Sequence, residues 1–174
     1  APLYMDINIK AQQMLTAFHQ RPDYFTEHDV FNEILLSITQ KNLSDADDQT
    51  FQSCRTTLRI ALNEARSGQF SSPNDLIQKV LRTSESLSMQ CRLLIHTFAN
   101  GALAYLRYRN HEVEEGKRLL LEALIIDNYL IHAHGYWLLA MHRVPLLPNL
   151  SRGVARFEDP ALAIHLLGDL LDCF

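Results

Sequence analysis

The sequence is poor in the residues that interrupt helices. Of its 174 residues, six are glycine and six are proline, and the prolines mostly fall between apolar runs. That scarcity argues against many short, turn-linked strands and favours long helices. Cysteine is scarce as well. Cys54, Cys91 and Cys173 are an odd number at wide spacings, which excludes a disulfide framework and offers no zinc-ligand pattern. Reduced, buried thiols fit a cytoplasmic setting. No apolar run reaches the about 18 residues of a membrane span, and no signal-peptide pattern opens the chain. The net charge of -4 comes without an extended basic block, so direct nucleic-acid binding is not expected. The chain opens Ala1, Pro2 without Met, as a processed chain or a piece of a longer protein would.

What is present is helical periodicity. Hydrophobic residues make up 47% and charged residues 21%, an ordinary balance for one domain with a real core. The clearest stretch is 97–128. Phe98, Ala102, Tyr105 and Leu106 fall near one helical face, and Leu120, Ala123 and Leu124 follow at spacings of three and four. Arg109, Asn110, His111 and Glu112 form a polar break between the two runs. A break that short predicts an antiparallel helix hairpin.

Similar signals recur along the chain. A first helix carries Ile7, Ala11, Met14, Leu15 and Phe18 and ends near His19. A second follows Thr26, with Val30, Phe31, Ile34, Leu35 and Ile38 facing in, and leaves through Gln40, Lys41 and Asn42. Ser44 with Asp45, Asp47 and Asp48 opens a third, since acidic residues suit the positive end of a helix dipole. It ends at Gly68, the natural stop. Pro73 opens a fourth at a first-turn position, where its missing N–H costs nothing. The fifth begins near Leu87 and runs through Tyr108. After Asn128 a new helix is expected over 131–143, ended by Pro145 and Pro148. The span 145–158 reads as a loop, and Asp159 with Pro160 opens a last helix.

On these residues the stretch 97–128 resembles a tetratricopeptide (TPR) motif, whose period is about 34 residues. Leu103 and Ala104 stand at the family's Leu-Gly pair. His111, Glu112 and Val113 stand at its Gly-Asp-Tyr. The run from Ala123 to Asn128 takes the place of the closing Ala-Leu-x-x-Asp-Pro. Arg107 stands where an aromatic is usual and Gly116 where an alanine is usual. The resemblance implies an all-α fold: antiparallel helix hairpins in a short TPR-like superhelical array of seven or eight helices. It treats 1–174 as a single all-helical domain, with the TPR-like part at about 54–174 and an N-terminal helical hairpin at 1–43.

Chemistry has few candidates. His132, His134 and His142 are enriched in one segment, but His132 and His134 point to opposite sides of a helix, and a chelating pair needs a spacing of four. His28 with Asp29 resembles the HD pair of metal phosphohydrolases, yet nothing fixes the further ligands. The pairs Glu114, Glu115 and Asp47, Asp48 diverge on a helix. No phosphate loop, nucleophile elbow or dinucleotide fingerprint occurs. The expectation is no enzyme, no metal and no cofactor, with a small helical metal-dependent enzyme as the remote alternative.

The resemblance implies instead a concave groove lined by the first helices of successive repeats. That groove would receive Phe98, Tyr105, Tyr108 and Arg109 from one unit and His132, Tyr136, His142 and Arg143 from the next. Aromatics and arginine are the types enriched at binding hot spots. The implied function is a protein-interaction module that takes a peptide or helix of a partner. The family's two-carboxylate clamp is not reproduced. A second reading is the regulatory or effector domain of a transcription regulator, since the run from Ala123 to Ala140 is similar to helical regions that follow winged-helix domains in bacterial activators. The partner and the oligomeric state are not legible in the sequence.

Overall fold

The computed structural model describes residues 27–157. They form six α-helices: α1 Glu27–Asn42, α2 Asp45–Arg66, α3 Ser71–Ser84, α4 Met89–Arg109, α5 Val113–His134 and α6 Leu139–Phe157. No strand occurs among the described residues. Six is fewer than the seven or eight helices expected of the whole chain. The helix expected to end near His19 and the one expected to open at Pro160 lie outside the described residues, as does the third cysteine, Cys173.

The chain divides into two compact units, Ala1–Thr39 and Gln40–Phe174. In the first, α1 buries Leu35 and Thr39 completely. The Thr39 hydroxyl donates back to the Leu36 carbonyl at 3.1 Å, which gives this buried polar group an acceptor in the preceding turn.

In the second unit α4 is the central helix, packing on α2, α3 and α5. Its sequence explains why. Ala99, Ala102 and Ala104 are buried beside Leu94, Ile95, Leu103 and Leu106, so apolar residues lie on several sides and small ones let neighbours approach. Each end is marked. Ser44 caps α2 by accepting from the Asp47 amide at 3.2 Å, and Ser88 caps α4 by accepting from the Cys91 amide at 3.4 Å. Gly68 closes α2 at φ 93° and Gly135 closes α5 at φ 72°, a left-handed geometry that suits a residue without Cβ.

The break at 110–112 is real, and α4 and α5 are antiparallel across it. Thr97 meets Asp127, Asn100 meets Glu122, and Tyr108 lies against Gly116, so contacts climb one helix as they descend the other. By contrast α2, α4 and α6 run the same way. Asp47 meets Cys91 and Phe51 meets Phe98. One step on, Phe98 meets His142 and Gly101 meets Leu146. Each later partner lies 44 to 47 positions further along, for instance 142 against 98. That offset is longer than the about 34 residues of a TPR unit.

Two local expectations are corrected. No helix ends at Asn128: α5 runs on to His134. The motif's closing proline is Asn128 here, so nothing breaks the ladder until Gly135. Nor is 145–157 a loop: Pro145 and Pro148 lie inside α6. An internal proline costs about 3 kcal/mol through its missing hydrogen bond and the crowded preceding turn. Burial of Leu139, Leu146 and Leu150 on the opposite face offsets that. The carbonyls that lose their usual donor belong to Met141 and Val144, whose side chains are exposed.

Candidate binding surface

The residues expected to line a groove sit on one face of α4, but that face is occupied. α6 packs along it. The Phe98 ring lies 4.6 Å from the His142 ring, and a Cβ on Gly153 would stand 2.7 Å from the Tyr108 hydroxyl. Tyr105 is half-buried on the same face. Phe98 is also covered from the other side, where the Arg55 guanidinium stands 4.8 Å above its ring. Burial, with Arg59 alongside, pushes the Arg55 guanidinium down to about 10. Arg109, at the exposed end of α4, lies 5.6 Å from the Phe70 ring.

The second half of the expected set fares similarly. Tyr136 is fully buried. Its hydroxyl accepts from the Gln90 side chain at 2.8 Å, which pins the α5–α6 turn to the start of α4. Arg143 donates to the Asn128 side chain at 2.9 Å. His142 lies with its Nδ1 2.9 Å from Asp127 Oδ2. His132 is exposed, on the last turn of α5. The structure thus joins Phe98 to His142 through direct ring contact, and it separates Arg109 and His132 from that pair.

A polar junction that the sequence reading passed over holds these helices together. Asp127 is fully buried in the middle of α5. The Thr97 hydroxyl on α4 donates to its Oδ1 at 2.7 Å, and His142 on α6 faces its Oδ2. A carboxylate has only acceptors, so the imidazole Nδ1–H donates. Both oxygens are satisfied, as a buried carboxyl group requires. One signal was visible: an aspartate inside the apolar run from Ala123 to Ile131, in line with Leu120, Ala123 and Leu130 at helical spacing. The resemblance to a TPR motif read it instead as part of the motif's closing stretch.

No group of three or more possible metal ligands occurs among the described residues. Elsewhere, burial beside Arg92 pushes the His96 imidazole down, with Glu122 opposing. Glu122 also accepts from Asn100 at 3.4 Å and pairs with Arg118. No helix among the described residues is long and apolar enough to cross a membrane.

Two rows of exposed large apolar side chains stand on α6 and α5. Trp137, Met141 and Val144 are 41%, 49% and 43% exposed. They follow one another at spacings of four and three along the turn before α6 and its first two turns. On α5, Leu121, Ile125 and Tyr129 are 42%, 69% and 43% exposed at spacings of four. Both rows lie opposite the buried residues of their helices, Leu139, Leu146 and Leu150 on α6 and Leu119, Ala123 and Leu130 on α5. In comparisons with known proteins, no family model, curated protein or solved structure matches the chain.

Proposed function

We propose that this chain is a protein-interaction module that takes a helix or peptide of a partner protein. The observation that supports it is the exposed row Trp137, Met141 and Val144. Large apolar side chains grouped on a surface mark contact sites more often than solitary ones do, and tryptophan is enriched at binding hot spots. The row stands on a rigid base. Tyr136 is buried next to Trp137 and hydrogen-bonded to Gln90, so little ordering is left to be done on binding.

This puts the contact on the outer side of α6, away from the face of α4 that the repeat resemblance suggested. Phe98, Tyr108, Tyr136 and His142 are engaged within the fold, so presenting them to a partner would require moving α6. Arg109 and His132 are the exposed members of that set.

Trp137 is the single tryptophan, so its fluorescence reports the site directly. A partner captured by the wild-type chain should shift that emission to the blue and should bind Trp137→Ala and Met141→Glu at least about tenfold more weakly. Unchanged affinity for both variants, with loss on Tyr105→Ala or Arg109→Ala, would return the contact to the face of α4 and overturn the reading.

A further inference from the structure

We propose, resting on the α6 contact above, that the helix taken there is acidic. Its apolar stripe lies on Trp137, Met141 and Val144, and its Asp and Glu side chains meet the cations of α6. Charge selects this occupant. The chain as a whole is acidic, at -4, but α6 is not. It carries Arg143, Arg152 and Arg156 and no Asp or Glu. α4, the helix beneath it, has no acid either, and neither has the turn 135–138. The last turn of α5 carries His132 and His134. Acids on α5 and at its start are already engaged. Asp127 is buried against Thr97 and His142. Glu112 pairs with Arg107, and Glu115 and Glu122 pair with Arg118. The surface around the row is therefore positive within an acidic molecule, which favours a negative partner.

Arg143 is the group that a carboxylate would join. On the helix, the exposed Ala140 lies between Arg143 and the line of Trp137 and Val144, so a helix laid on the row borders the guanidinium. Among the described residues that guanidinium meets a neutral group, the Asn128 side-chain oxygen, at 2.9 Å. Its Nε is buried without a hydrogen-bond partner. A guanidinium has five N–H donors and is matched best by a carboxylate, which takes two at once. One amide oxygen leaves that capacity largely unused. A basic helix on the same row would be repelled, and a neutral one would leave the charge unanswered.

Three synthetic peptides of about 20 residues test this on the full chain. They share one stripe of Leu and Phe at helical spacing and carry Glu, Gln or Lys on the other face. None contains tryptophan, so the emission of Trp137, the single tryptophan, reads binding directly. The Glu peptide should shift that emission to the blue and saturate. The Lys peptide should bind at least about tenfold more weakly, with the Gln peptide between them. The differences should shrink at about 0.5 M salt. Arg143→Gln, with unchanged helical circular dichroism, should weaken the Glu peptide about three- to fivefold and leave the Gln peptide as it was. Arg143→Lys should recover part of the loss. Gln and Lys peptides that bind as tightly as the Glu peptide would overturn the acidic preference and leave the α6 contact standing, as would a Glu peptide indifferent to Arg143→Gln. No shift with any of the three would overturn both. A shift with phosphatidylglycerol vesicles and with no peptide would mark the row as a lipid-binding face and likewise overturn both.

Discussion

The carboxylate of Asp127, on α5, faces the Nδ1 of His142, on α6, at 2.9 Å with no contact to bulk water on the aspartate side. Thr97 completes the junction from α4. Removing one member strands the others. Asp127→Ala should cost about 2–4 kcal/mol, since it leaves a buried hydroxyl and imidazole N–H without their acceptor. Thr97→Val should cost about 1–2 kcal/mol, because one acceptor loses one donor. Urea unfolding would measure both, and a double-mutant cycle between Asp127 and His142 should give a coupling clearly different from zero. Additive effects would mean that the two side chains do not act as a pair.

Tyr108 is wedged between two glycines, and they should respond differently to alanine. At Gly153 the new Cβ would meet the Tyr108 hydroxyl and ring at 2.7 and 2.9 Å, which forces a shift. Overpacking of this kind costs about 1–3 kcal/mol. At Gly116 the Cβ would meet the ring at 3.2 Å, a tighter fit than usual but one that a small tilt relieves, while the helix gains about 1 kcal/mol over glycine. Thermal melts should show Gly153→Ala well below wild type and Gly116→Ala close to it.

Alkali should unfold the chain earlier than burial of apolar groups alone would suggest. Burial, followed by Asp47, Cys54 and Asp48 nearby, pushes the Cys91 thiol up to about 12 from 9.0. Burial pushes the Tyr136 phenol up to about 12 from 10.0, against the opposing hydrogen bond from Gln90. In each case the unfolded group loses its proton first, so the unfolded state gains with rising pH. Stability should hold up to about pH 9 and then fall by up to about 1.4 kcal/mol per pH unit for each group until its folded form also ionises. Urea midpoints across that range would show the slope, and Cys91→Ala should remove its earlier part. The same burial should keep the Cys91 thiol from reacting with a thiol reagent at about pH 8 unless the chain unfolds.

Depth along α5 predicts a graded response. Leu120 is fully buried and Leu124 is half-buried. Leu120→Ala should cost about 2–5 kcal/mol, and Leu124→Ala clearly less. Leu120→Asp should leave no folded protein, because an unpaired buried charge costs as much as the whole fold is worth.

The sequence made the helices legible wherever local chemistry decided them. Ser44 with its acidic neighbours, Gly68, and the break around Asn110 each mark an end through capping or backbone conformation that needs no distant contact. It failed where tertiary burial outweighed a local signal. Pro145 and Pro148 ordinarily stop a helix, but Leu146 and Leu150 between and beyond them are buried, and the helix continues. Asn128 was read as an end by analogy with a repeat motif, although nothing in its own chemistry ends a helix. The expected binding residues raise a related ambiguity. A face of aromatics on α4 reads the same whether it meets a partner or another part of the chain, and Phe98 and Tyr108 meet α6.

The two prolines of α6 leave a mark on its surface. Each withholds an amide proton from the turn before it, so the carbonyl oxygens of Met141 and Val144 are released from their customary donors on the side where those residues are exposed. Oil and hydrogen-bond acceptor therefore alternate along one strip. On the contact proposed above, a visitor bringing only hydrocarbon would leave those oxygens dry and unsatisfied, whereas one carrying amide or hydroxyl protons at a matching stride would quench them, and the proposed contact would then sort greasy peptides by what lies between their greasy residues.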